Sequence, residues 1–354
     1  MGVLASKGER VLSQRELNRA LLARQLLLER SRLPIPRALE RIGGIQSQYA
    51  PNGYIRLWSC LEGFRRDDLT RALERRAAVQ GTLMRETIHV VSRRDYPLLA
   101  AGIRASGQEW WRRVNKIPVE VDMRAFARRA RTFFRGQARN RTEIEEFLRA
   151  NDFPRASLWG FSHWLDLIRV PPSGTWEQRR AHTFALAEEW VGALDASEAE
   201  GIEHLARRYL GGFGPASKND LSSWSKVPLA KLAPVLERMT LRRFRDEDGK
   251  ELIDLPRAPL PDPETPAPVR FLPTWDAVLL VHARRTGILP EEHRPRVFST
   301  KTPHSVGTFL VDGVVAGTWR YEQGRIDAQP FGRLDRGAQR ELRDEADRLA
   351  AFHE

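Results

Sequence analysis

Cysteine is nearly absent: Cys60 stands alone among 354 residues. A single thiol excludes an intramolecular disulfide and a cysteine-based zinc site. Lysine is scarce too, with only seven: Lys7, Lys116, Lys218, Lys226, Lys231, Lys250 and Lys301. No run approaches the roughly 18 uninterrupted apolar residues that a membrane-spanning helix needs. The opening MGVLASKGER lacks the apolar segment of a secretion signal, and Gly2 with Ser6 fits an acylation pattern only by chance. The expectation is a cytoplasmic chain with no membrane contact.

What is abundant is arginine. There are 58 Lys+Arg against 46 Asp+Glu, giving a formal net charge of +12, and all but the seven lysines are arginines. Guanidinium groups grip phosphate oxygens in a planar, two-pronged way, so a polyanionic partner is expected. Genomic base-composition bias also exchanges lysine for arginine, but it does not create the positive excess. The hydrophobic share of 41% is enough for ordinary cores.

Short helices followed by hairpins recur along the chain. Ser13 with Glu16 reads as a capping box that opens a helix over 13–30, and Pro34 and Pro36 break it. Ala38, Leu39 and Ile42 form a short helix stopped by Gly43-Gly44. Asp67 and Asp68 cap a third, and Val79–Val91 alternates like a strand pair. The outline returns with a helix at Thr142–Leu148, another from Trp159 to Ile168, a turn at 170–176 and a helix over 182–194. It returns again with a helix at Ile202–Tyr209, a helix capped by Ser217, a helix over Pro228–Met239 and a hairpin turning at Glu247-Asp248-Gly249. Pro256 to Pro273 holds seven prolines and reads as an extended linker. Asp312-Gly313 and Gln323-Gly324 then mark two tight turns, and Arg336–Phe352 is an amphipathic helix. The fold expected is α+β, with tandem winged-helix units, a relative of helix-turn-helix. The units run 10–96, 120–196 and 200–256, before a β-rich part with a terminal helix at 268–354.

Gly43-Gly44-Ile45-Gln46-Ser47-Gln48 is the sharpest local feature. In an extended chain, Gln46 and Gln48 project to one side, and their carboxamides together could hold one water. A polar loop facing solvent is the plainer alternative. Here the chain resembles the winged-helix family that contains the azinomycin-resistance DNA glycosylase. The residues that carry the likeness are Ala38 through Gln48, Tyr54-Ile55-Arg56-Leu57-Trp58, and Met84-Arg85-Glu86-Thr87-Ile88-His89-Val90-Val91. Gly212–Ala216 with Asp220 and Trp224, then Leu272–Asp276 and Val311–Trp319, extend it over most of the chain.

The resemblance implies a monofunctional glycosylase that removes N-alkylated purines and unhooks some interstrand crosslinks. Its catalytic signature is glutamine, a spacer, then glutamine or aspartate. Gln46 and Gln48 fall on those positions, and Ser47 departs from the usual apolar or small spacer. A guanine alkylated at N7 is already cationic, so it leaves without a general acid, and positioned water is sufficient. No lysine lies between Lys7 and Lys116, so the first unit offers none for a Schiff base.

Arg56, Arg85 and His89 are candidate DNA-binding residues, with surface arginines and a locally bonded strand histidine as the plain alternatives. Trp110-Trp111-Arg112-Arg113 could stack at a lesion or pack into a core. The histidines are too scattered for a metal site, and no cofactor is expected. The expected partner is double-stranded DNA, bound by a monomer. A non-catalytic winged-helix regulator is the main alternative and a protein-interaction scaffold the third.

Overall fold

The computed structural model describes residues 9–153, 158–179, 182–282, 287–298 and 305–354. Its first helix, Gln14–Arg24, starts as the sequence dictates. Ser13 Oγ accepts the Glu16 N–H at 3.2 Å, and Glu16 Oε2 accepts the Ser13 N–H at 2.8 Å. The helix ends earlier than expected because Leu26 adopts a left-handed conformation (φ 57°), well before Pro34. The helix Ile35–Ile42 stops where Gly43 turns left-handed (φ 78°) and returns its N–H to Leu39. Ser217 caps the helix Lys218–Ser225 reciprocally with Asp220.

In chain order the strands are β1 (Val11–Leu12), β2 (Ile45–Gln46), β3 (Ala78–Thr82), β4 (Ile88–Ser92) and β5 (Arg139–Asn140). They continue with β6 (Leu167–Arg169), β7 (Thr183–Leu186), β8 (Arg242–Asp246) and β9 (Glu251–Asp254). The last four are β10 (Arg270–Leu272), β11 (Gly307–Val311), β12 (Val314–Glu322) and β13 (Arg325–Pro330). They form three sheets, ordered β1-β8-β9, β10-β11-β12-β13 and β2-β4-β3-β6-β7-β5.

Two features differ from the helix-and-hairpin outline. The helix expected over 182–194 is instead β7 followed by a single helical turn, Glu188–Val191. Thr183-Phe184-Ala185-Leu186 pairs with β6 and buries Ala185 and Leu186. Similarly, the helix expected from Trp159 to Ile168 is confined to Leu158–Phe161, and its end becomes β6. Strands from 10–96 and 120–196 also share one sheet. β3 of the first pairs with β6 of the second, with Gln80 opposite Arg169 and Gly81 opposite Ile168. Val11 and Leu12 run parallel to β8, so the start of the described chain joins the third unit's hairpin.

That third unit packs the helices Glu198–Phe213, Lys218–Ser225 and Leu229–Arg238 beside the β8–β9 hairpin, an order compatible with a winged helix. The segment 256–273 carries backbone acceptors for buried arginines and supplies β10. Arg24 Nη2 donates to Pro259 O at 2.9 Å, and Arg19 Nε to Thr265 O at 2.7 Å. The two-residue turns Asp312-Gly313 (φ 47° and 80°) and Gln323-Gly324 (φ 52° and 76°) set the β11–β12–β13 meander. The terminal helix Arg336–His353 buries Leu342, Glu345 and Leu349.

Gly81 lets β3 lie close to its surroundings. A Cβ there would sit 2.5 Å from Cε2 of Tyr96, a ring that is itself buried in the core. Gly81→Ala therefore overpacks the strand that joins the two units. It is expected to destabilise the protein by about 1–3 kcal/mol, as measured by chemical denaturation. Unchanged stability would remove the steric argument.

Candidate active site

β2 is an edge strand, and its ladder is short. Ile45 pairs with Val90 and Gln46 with His89, and then Ser47 N–H donates to Ile88 O at 2.7 Å. An ideal antiparallel pair would send the Ile88 N–H back to the Ser47 carbonyl. Here the Gln48 side chain substitutes, and its Oε1 accepts the Ile88 N–H at 3.0 Å. The chain bends at Gln48 and Tyr49. Ser47 is buried, and its Oγ would lie 3.2 Å from a Cβ at Gly53, so the spacer position has little room.

Gln46 is nearly buried, and its Oε1 accepts from Arg85 Nη2. Gln48 is exposed. The strand bend thus gives the two glutamines different anchors. Gln46 shares a register row with His89 and Gly81, whereas Gln48 folds onto Ile88. They hold successive points of one connection, residues 83–88. In that connection Arg85 (φ 54°) and Glu86 (φ 59°) are both left-handed without being glycine. Such conformations cost free energy and concentrate at functional sites.

Arg56 is not at the surface. It is buried, with Nε 3.1 Å from Asp276 Oδ2 and Nη2 donating to Gln25 Oε1 at 2.8 Å. This corrects the expectation of a phosphate contact: the guanidinium is committed to an interior ion pair. His89 is also buried, and its Nδ1 lies 3.0 Å from Thr87 O. Burial, with help from Arg85, pushes its pKa down to about 3, so it is a neutral interior group and not a cationic phosphate ligand. Arg85 is half-buried beside Gln46, with burial lowering its pKa to about 10. Trp111 is a core residue; Trp110 is half-buried, its ring 6.0 Å from that of His163.

Two cavities meet at Glu86. The smaller, about 180 Å³, is lined by Gln48, Gln80 and Ile88 on one side and by Arg141, Arg169 and His182 on the other. The larger, about 650 Å³, is lined by Arg85, Trp110, Arg113 and Lys226. Glu86 lines both, and its Oε2 lies 3.2 Å from His163 Nε2. Burial raises its pKa to about 7, against a lowering by Lys226. Glu86, Arg169 and Lys226 were not singled out from the sequence. The legible signal was an arginine inside the short apolar run Leu167-Ile168-Arg169. Among the described residues, no group of three or more His, Cys, Asp or Glu could hold a metal ion. Nor is any described helix long and apolar enough to cross a membrane.

An α+β chain whose cavities gather arginines is suited to an anionic macromolecule. The chain belongs to the AlkZ-like DNA glycosylase family, whose model matches residues 39–352. Its fold is similar to that of Streptomyces sahachiroi DNA glycosylase AlkZ, with a TM-score of 0.82 over 97% of each chain at 18% identity. No curated protein sequence matches the chain. The family makes it a DNA glycosylase, a hydrolase with DNA as its substrate class.

The buried titratable groups give a pH dependence of stability. Burial lowers His89 to about 3 and both His163 and His353 to about 4, whereas unfolded histidines titrate near 6.5. Between those values the unfolded chain binds more protons, so their contribution is lost as pH falls. Glu86 acts oppositely: its contribution is full below about 4.5 and lost as pH rises through about 7. His182 is lowered too, and Asp166 and Asp276 are raised alongside Glu86, so the histidine contribution to a decline from pH 6.5 to 4.5 is isolated by comparing the wild type with a variant. His89→Asn should make that decline shallower in urea titrations. An identical slope in the variant would contradict a neutral buried His89.

Proposed function

We propose that this chain hydrolyses the N-glycosidic bond of cationic N-alkylated purines in double-stranded DNA, with Gln46 and Gln48 positioning the water. One observation carries this reading. Both glutamines are anchored on the strained 83–88 connection, and Gln48 lines a cation-rich cavity. Each Oε1 is held by a fixed donor. That leaves the amide N–H groups and one oxygen lone pair of each side chain free to orient a water.

Neither amide can take up a proton strongly, and a cationic lesion does not require it. An N7-alkylated guanine departs as a neutral base, taking the glycosidic electron pair and leaving the positive charge on an oxocarbenium-like sugar, to which the placed water adds as its proton passes to solvent. Neutral bases need a general acid, so activity on them should be low. The larger cavity beside Arg85 offers Trp110 for stacking on a lesion, and its width suits bulky adducts and crosslinks better than a tight flipping pocket. Lys226 also lines that cavity, so the monofunctional reading needs its own control.

The test is incubation with a duplex carrying N7-methylguanine, read with and without alkali. The wild-type chain should release the base and give strand breaks only after alkali. Gln46→Ala with Gln48→Ala should lower release by about 100-fold or more while duplex binding persists. Base release unchanged in the double variant would overturn the glutamine mechanism. Breaks without alkali, trapped by borohydride, would replace monofunctional hydrolysis with lysine chemistry. No release at all, with a footprint at a defined operator, would favour a binding-only regulator.

A further inference from the structure

The buried arginines divide into two kinds. Arg24 meets Asp254 at 2.7 Å, Arg56 meets Asp276 at 3.1 Å, Arg19 meets Asp312 and Arg270 lies 3.9 Å from Glu345. Arg169 is the exception. It is 4% exposed, its Nε and Nη1 have no hydrogen-bond partner, and no carboxylate pairs with it among the described residues. An unpaired buried guanidinium is unfavourable for folding unless something else completes it.

The fold builds a place for this group. β6 carries Arg169 opposite Gln80 on β3 and Phe184 on β7, so the three share one face of the sheet. Gly174, left-handed at φ 77°, packs against its stem: a Cβ there would lie 2.3 Å from Arg169 Cδ. Gln80 Nε2 fastens that turn by donating to Gly174 O at 2.8 Å. Arg169 lines the smaller cavity together with Arg141, His182 and Gln48. His182 is held below its ordinary pKa by burial first, then by Arg169 and Arg141, which registers the crowding of positive charge. The acid lining this cavity is Glu86, and its pKa of about 7 leaves it largely uncharged up to neutrality. Arg141 pairs with Glu145 at 2.8 Å and is otherwise exposed.

We propose that the smaller cavity is a phosphate subsite, in which Arg169, with Arg141 and His182, takes one phosphodiester of the DNA strand next to the nucleotide at Gln48. The occupant is a tetrahedral oxyanion because a guanidinium fork and a flanking imidazole offer converging donors to several oxygens at once. The assignment of that phosphate to DNA rests on the glycosylase reading. It adds a fixed backbone contact on the Ile88 face of the sheet, away from the Gln46–Arg85 contact.

The experiment uses the full chain and its Arg169→Gln variant, with undamaged duplex so that base release plays no part. The variant should keep or raise its melting temperature, because an unpaired buried cation has been removed. Its duplex affinity should weaken, and the slope of log K against log salt should shrink by about one. Inorganic phosphate should raise the melting temperature of the wild type more than that of the variant. A variant that melts lower or fails to fold, or one with an unchanged salt slope and an unchanged phosphate response, overturns the subsite. A wild-type chain that binds no duplex yet is stabilised by phosphate through Arg169 keeps the anion site and removes DNA as its source.

Discussion

The antiparallel pairing of β3 with β6 is the contact on which the site depends. Gln80 faces Arg169 and Gly81 faces Ile168, and through those pairs the first unit's strands continue into the second's. Gly81 permits the approach because Tyr96 fills the space a side chain would need. Alternation then does the rest. One face of the sheet carries Gln80, Arg169 and Phe184, while Gln46 and His89 share the neighbouring row that points the other way. Gln48 escapes this rule only because the chain bends after Ser47 and its side chain takes over a backbone hydrogen bond. The two glutamines are therefore held at separate points of the 83–88 connection, Gln46 by Arg85 and Gln48 by Ile88.

Charge burial follows the same logic. The interior contains several guanidinium groups, and most sit in ion pairs that bind distant segments together. Arg24 with Asp254 joins the first helix to the third hairpin, and Arg56 with Asp276 joins the helix Pro51–Cys60 to the segment after β10. Such pairs gain little over apolar packing, but losing one partner is strongly destabilising. Arg85, Glu86 and Arg169 instead line the two cavities, with burial moving each away from its charged form. Perturbed groups gathered at a cleft beside a strained backbone mark a candidate reactive site.

Local chemistry was legible in the sequence. Ser13 with Glu16, Ser217 with Asp220, the Gly43 stop and the Asp312-Gly313 and Gln323-Gly324 turns each depend on neighbours within a few residues. β6 and β7 were not legible: three or four residues are too few to separate strand period from helix period, and their partners are far away in sequence. The same limit separates Arg56 from Arg169. Both are arginines among apolar residues, and only the fold shows that one is paired with Asp276 and the other faces a cavity. Gln46 and Gln48 stood out by spacing and by the family resemblance, but their separate anchors come from a bend that spacing alone does not encode.

We propose that the sheet joining β3 to β6 aligns a damaged nucleotide at Gln48 with a backbone phosphate at Arg169. The most direct measurement is a crystal structure of the full chain with a duplex containing a stable abasic-site analogue. The analogue's sugar should lie beside Gln48 and a neighbouring phosphate against Arg169, with residues 83–88 unchanged in conformation. DNA seated on another surface, with the smaller cavity empty of phosphate, would contradict it.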